Sequence, residues 1–113
     1  MRMWGVYPGY MCRQHLLGEH VEMHMAVGAI RHDKSISGYT NGGLLDTSKI
    51  QHRHDTLVIE MQKRGYKHRS PLHYDDVLQS GSVDVVSNLS ALRQRCVECN
   101  LRGQVTNHDT RTG

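Results

Sequence analysis

Apolar positions repeat at helical spacing in three stretches of the chain. The first stretch covers residues 11–31. The second begins after capping residues at positions 46–48 and ends at Gly65, since glycine readily adopts the backbone conformation that closes a helix. The third extends from about Ser82 to Cys99. The inward positions of the three stripes are Leu16, Leu17, Val21, Val27 and Ile30, then Ile50, Leu57, Val58 and Met61, then Val86, Leu89 and Leu92.

The segments between these stripes lack a periodic pattern. Residues 1–10 are rich in aromatic residues, glycine and proline, which indicates an extended N-terminal arm. Residues 33–45 contain three glycines, residues 66–81 look irregular, and the polar end at 103–113 is expected to be a flexible tail. The pattern therefore predicts an all-α fold, a compact single domain (1–113) of about three helices with long irregular connections.

Composition and charge narrow the classes of partner. The 113 residues are 37% apolar, with one Trp and no Phe, so the core is poor in large side chains. The net charge of +3 suits a polyanionic partner without proving one. No stretch approaches the ~20 apolar residues of a membrane span, and no signal peptide is evident. We therefore expect a cytoplasmic protein that does not act at a membrane.

The two sides of the first helix carry different chemistry. At 100° per residue, His15, Glu19 and Glu22 share one sector with small residues. Neighbouring carboxylates shift each other's pKa, which suits acid–base catalysis, although an ordinary solvated face has the same pattern. His20 and His24 lie in the middle of the opposite, apolar side, where both imidazoles point the same way.

Two pairs of residues predict a metal site. Cys96-x-x-Cys99 would bring two thiolates together at the end of the third helix, and His20-x-x-x-His24 would bring two imidazoles together. Joined, they make a Cys2His2 set for a tetrahedral, structural zinc ion on the side opposite the carboxylates, in which His54 is an alternative ligand. The competing interpretation is two reduced cysteines and two packed histidines.

Several of these residues resemble a known family. Gln14-His15-Leu16, Glu19, Glu22 and Gly28-Ala29-Ile30-Arg31 resemble the first helix of the phage pyrimidine-dimer DNA glycosylases of the endonuclease V type. Lys63-Arg64-Gly65-Tyr66 resembles the end of that family's next helix. The resemblance covers residues 1–32 without a gap and roughly 55–66.

The resemblance implies a mechanism and a site. In that family the α-amine of the first residue attacks the sugar C1′ to form an imine, and a glutamate on the first helix assists β-elimination. Carried over, the nucleophile is Met1 and the acid–base residue is Glu22, with no cofactor in catalysis. An α-amine titrates near ~8, so a fair fraction is neutral at neutral pH. The implied DNA-binding residues are Arg2, Gln14, His15 and Arg31.

The implied substrate is double-stranded DNA containing a damaged pyrimidine or an abasic site, in a bacterial or phage-infected cell. Because aminopeptidase spares methionine before a bulky residue, Arg2 is expected to keep Met1 in place. The chain departs from the family at two arginine positions, which here are Val21 and Met25, and it lacks the family's aromatic, basic C-terminal segment.

Two other functions fit parts of the sequence. A non-catalytic, zinc-stabilised DNA-binding or assembly module would explain the missing arginines. A metal-dependent HNH-like nuclease is suggested faintly by the segment 95–100 around Cys96 and Cys99, followed by Asn107-His108-Asp109.

Overall fold

The computed structural model describes the backbone of residues 1–112 and the side chains of residues 1–104. Five α-helices follow one another, and residues 1–112 contain no β-strand, so the all-α prediction is confirmed. The helices are α1 (Arg13–Arg31), α2 (Ser37–Asn41), α3 (Ile50–Lys63), α4 (Val85–Arg95) and α5 (Val97–Thr112).

The helix ends follow from local chemistry. Cys12 caps α1 with its sulfur, and a short 3-10 turn, capped by Asp46, leads into α3. Gly65 adopts φ +83° after α3, as expected for a closing glycine. The short helix α2 lies within the segment that the sequence predicted as a loop. Residues 66–84 have no regular structure, in agreement with the predicted irregular connection.

The predicted third helix is two helices. Cys96 has an extended backbone (φ −129°, ψ 112°), which ends α4 and lets α5 begin at Val97. The sequence pattern did not show this break, because it depends on where the Cys96 side chain points. The tail expected at 103–113 begins inside α5, and its side chains from residue 105 on lie outside the described part.

α1 and α3 pack against each other at the centre, and the N-terminal segment packs into them. Met3 and Val6 are fully buried, so the predicted extended arm is part of the core, and its end forms a short 3-10 turn at Pro8–Tyr10. Val21, predicted to face the core, is 54% exposed, whereas Glu19 on the carboxylate side is 1% exposed. The core is methionine-rich, with Met3, Met11, Met23 and Met61 buried. No helix in the described residues is both long and apolar enough to cross a membrane.

Candidate active site

Side chains hold the carbonyl groups of the N-terminal segment in place. Arg53 on α3 donates to Val6 O (2.8 Å), and Arg64 donates to Pro8 O (3.1 Å) and Met11 O (2.7 Å). At the chain start, the Met3 amide donates to Leu44 O (2.7 Å). Together with the 3-10 turn at Pro8–Tyr10, these bonds satisfy polar groups of the segment and fix its path across α1.

This path brings the chain start to Glu22. The Met1 nitrogen lies 3.9 Å from Glu22 Oε1. Burial raises the pKa of Glu22 and Glu19 adds to the rise, while the Met1 ammonium, the Arg2 amide and His15 oppose it. The Glu22 side chain keeps 30% of its exposure, so a ligand can still approach. An amine therefore lies close to a carboxylate of raised pKa that is partly exposed.

A groove of about 410 Å³ is lined on one side by Glu22. Arg2 stacks over the Trp4 ring at 3.7 Å and donates to Asn88 Oδ1 (3.0 Å), which fixes its guanidinium at the groove wall. Trp4 itself is 7% exposed and anchors the core. The groove is lined by Arg2, Trp4, Gln14, His15, Gly18, Glu19, Glu22 and Arg95. Two arginines at one groove make it suited to an anionic ligand.

Glu19 has a structural role. Its carboxylate makes a bidentate ion pair with Arg53, Oε2 to Nε at 2.5 Å and Oε1 to Nη2 at 3.0 Å. Both side chains are buried, so the pair links α1 to α3 instead of facing a substrate. Only Glu22 of the predicted carboxylate pair therefore remains for acid–base chemistry.

The four residues predicted to bind DNA do not all lie at the groove. Arg2 and Gln14 line the groove, in reach of a ligand at Glu22. Arg31 lies at the far end of α1 and donates to His73 O. His15 also borders the groove, but its Nδ1 lies 3.2 Å from Cys12 Sγ and 3.6 Å from Cys99 Sγ. Arg95, which the sequence analysis did not select, is the second groove arginine, and no periodic signal pointed to it.

Cys12, His15, Cys96 and Cys99 form one cluster, with the four ligand atoms within 4.8 Å of one another. The sulfurs of Cys12 and Cys96 are 3.9 Å apart. A tetrahedral zinc ion with Zn–S bonds of about 2.3 Å separates its sulfurs by about 3.8 Å, so the cluster fits a structural zinc ion. Burial raises the pKa of Cys99 to about 12.

Two helix starts build this cluster in the same way. Cys12 Sγ accepts the His15 amide (3.4 Å) at the start of α1, and Cys96 Sγ accepts the Cys99 amide (3.4 Å) at the start of α5. In each case the cysteine caps the helix and the residue three positions on supplies the second ligand. The positive ends of two helix dipoles therefore meet at the sulfurs, which opposes the rise that burial gives to the pKa of Cys99.

The predicted zinc ligands consequently belong to different clusters. Cys96 and Cys99 join Cys12 and His15, on the Glu22 side of α1, and not His20 and His24 on the opposite side. A Cys-x-x-His motif at residues 12–15 is the sequence signal for this ligand set.

His20 instead belongs to a histidine cluster with His54 and His68, whose ligand atoms also lie within 4.8 Å of one another. His24 packs against it, with its ring 5.0 Å from that of His20. Burial and the neighbouring His54, His24 and His68 lower the pKa of His20 to about 4.

Taken together, a small all-helical protein brings an amine within 3.9 Å of a carboxylate that lines a groove containing two arginines. Residues 1–74 match the family model described as pyrimidine dimer DNA glycosylase. The match covers 74 of the 113 residues, and the chain belongs to this family. No curated protein and no solved structure gives a significant match. Helices α4 and α5 lie outside the matched range.

Proposed function

We propose that this protein is a DNA glycosylase with abasic-site lyase activity, which uses the α-amine of Met1 as nucleophile and Glu22 as acid–base residue. The observation that carries the proposal is the 3.9 Å separation between the Met1 nitrogen and Glu22 Oε1. The substrate is double-stranded DNA with a damaged pyrimidine or an abasic site, and the family membership supports this substrate class.

The reaction follows from the chemistry of the two groups. The neutral amine attacks the sugar C1′, the C1′–base bond breaks, and the base leaves with the electron pair and takes up a proton. Ring opening then gives an imine between C1′ and Met1. Glu22, as carboxylate, removes a C2′ proton, and β-elimination expels the 3′ phosphate. The imine makes the C2′ proton acidic, so one carboxylate beside the amine is sufficient.

Arg95 takes the place of the missing phosphate contacts in this proposal. The positions of the two family arginines are Val21 and Met25, both 54% exposed and without charge. Arg95 borders the same groove as Glu22 and lies near enough to Arg2 to lower the pKa of Arg2, together with burial, the larger cause. Two guanidinium groups that repel each other gain from a phosphate between them.

Displacement of the amine by one residue tests the nucleophile. The protein is released from a cleavable fusion so that it begins either at Met1 or at one glycine before Met1, and intact mass verifies each start. Borohydride trapping on abasic DNA should give a covalent adduct at Met1 in the first protein and an adduct reduced at least tenfold in the second. Equal trapping in both would rule out the amine of Met1.

Glu22→Gln tests the carboxylate. We expect loss of strand nicking by at least two orders of magnitude with DNA binding retained, since general acid–base catalysis contributes about 10²–10⁴ in rate. Glu98→Gln, the same change at an exposed position, is the control and should nick normally. Equal loss of binding and nicking would make Glu22 structural.

Binding without adduct or nicking by the unaltered protein would favour the zinc-stabilised module. EDTA-sensitive cutting without an adduct would favour the HNH-like nuclease.

A further inference from the structure

The histidine cluster lies on the side of α1 opposite Glu22 and has no part in the chemistry above. His20 comes from α1, His54 from α3, and His68 from the irregular segment that follows α3. The Nε2 atoms of His20 and His68 are 3.1 Å apart. The carbonyl oxygen of Ser70 lies 2.8 Å from His68 Nε2 and 3.2 Å from His54 Nε2.

Hydrogen bonds alone do not account for this arrangement. His54 Nδ1 lies 2.9 Å from a carboxylate oxygen of Asp55, which can only accept, so the ring proton belongs on Nδ1. In a neutral ring, the lone pair on Nε2 then faces the lone pairs of Ser70 O.

The carbonyl oxygen of Ser70 also has more imidazole neighbours than it has lone pairs. Besides His54 and His68, the Nε2 atom of His24 lies 2.9 Å from it. A carbonyl oxygen has two lone pairs, so donation by His24 and His68 would fill its capacity and leave the Nε2 lone pair of His54 without a partner. Several lone pairs that converge on one small volume are the arrangement that a cation stabilises.

We propose that His20, His54 and His68, with the carbonyl oxygen of Ser70, bind a divalent transition-metal ion of the zinc class. Metal–nitrogen bonds of about 2.0–2.1 Å place ligand atoms about 2.9–3.4 Å apart in common geometries. Three of the contacts here, at 2.8–3.2 Å, are close to this range, and the ligand atoms of the three histidines all lie within 4.8 Å of one another. Asp55 then orients His54 through the carboxylate–histidine–metal arrangement usual at such sites. Imidazole ligands suit zinc, nickel, cobalt and copper.

The ion would anchor the irregular connection. Residues 66–84 have no regular structure to hold them, and His68 and Ser70 lie near the start of this segment. Through them the ion ties the segment to α1 and α3 at once. The expected role is therefore structural, and the proposal is independent of the lyase chemistry.

Metal content and spectroscopy test the site. The protein is purified, stripped with a chelator, and titrated with Zn²⁺ or Co²⁺. We expect two ions per chain for the unaltered protein and one for His68→Ala, whose side chain is only half-buried. His52→Ala, an exposed histidine two residues from His54, is the control and should keep two ions.

Cobalt spectra assign each ion to its cluster. The ion lost in His68→Ala should contribute no sulfur-to-cobalt charge-transfer band, whereas the ion that remains should show it. Either a single ion in the unaltered protein that carries the sulfur band or two ions retained by His68→Ala would overturn the proposal. His20→Ala should behave like His68→Ala, which guards against a local effect of one variant.

Discussion

The two clusters on opposite sides of α1 are assembled from different parts of the chain. The cysteine-containing cluster (Cys12, His15, Cys96 and Cys99) consists of four side chains from two helix starts, and backbone amides bond to its sulfurs. The histidine cluster uses side chains from the middle of α1 and α3 together with a carbonyl oxygen of an irregular segment. The first has four side-chain donors and is complete in itself, whereas the second depends on the path of one segment.

Their positions relative to the family match add to this contrast. The histidine cluster and Ser70 lie wholly within residues 1–74. The cysteine-containing cluster joins residues 12 and 15, inside the match, to residues 96 and 99, outside it. The cysteine-containing cluster therefore attaches α4 and α5, and with them Arg95, to the part of the fold that the family model matches. The histidine cluster stabilises that part internally.

The largest effect is expected from removal of the cysteine-containing cluster, which attaches α4 and α5. Cys96→Ser combined with Cys99→Ser should abolish zinc binding at this cluster and lower the free energy of unfolding by more than about 4 kcal/mol, a range that metal loss reaches. Thermal unfolding and zinc content measure the two effects. Val97→Ser, between the two cysteines and exposed, is the control and should change neither. Unchanged stability in the double variant would mean that α4 and α5 pack without the cluster.

The ion pair of Glu19 with Arg53 also links α1 to α3 but needs no metal, so it separates packing from metal binding. Arg53→Met leaves the buried carboxylate of Glu19 unpaired and frees Val6 O, so it should cost about 3–5 kcal/mol. Adding Glu19→Leu should recover part of this loss, because the uncompensated charge disappears. Denaturant unfolding measures both, and metal content should stay the same. A double variant as unstable as Arg53→Met would show that the bonds to the N-terminal segment, and not the charge, account for the cost.

The sequence predicted the helices better than it predicted the site. Periodicity and capping residues located α1 and α3, because those helices bury one apolar stripe in the usual way. It missed the break at Cys96, since that break depends on a contact with Cys12, 84 residues away. The same limit applied to the metal ligands. Local spacing found Cys96 and Cys99 and the pair His20 and His24, but only the fold decides which pairs meet.

Burial was the other quantity that the pattern could not supply. Glu19 and Glu22 are three residues apart on one side of the helix. The Glu19 carboxylate is buried in an ion pair with Arg53, whereas the Glu22 side chain keeps access to solvent. The arginine that neutralises Glu19 lies 34 residues further along the chain, in α3, and no sequence spacing links the two. By contrast, the meeting of Met1 and Glu22 followed from the family resemblance, which had placed both residues before the geometry was known.

The smallest effect is expected at Arg95, the residue through which the cysteine-containing cluster would affect DNA binding. Arg95 precedes Cys96 directly and is exposed, so Arg95→Ala should leave zinc content and stability unchanged, within about 0.5 kcal/mol. If Arg95 contacts one phosphate, the slope of log binding constant against log salt should fall in magnitude by about 0.9. Binding isotherms on abasic duplex DNA over a range of salt concentrations measure this slope. Lys67→Ala removes the same charge from an exposed position beside the histidine cluster and should keep the slope. Equal reductions in both variants would show a general effect of net charge, and the cysteine-containing cluster would then place no DNA contact.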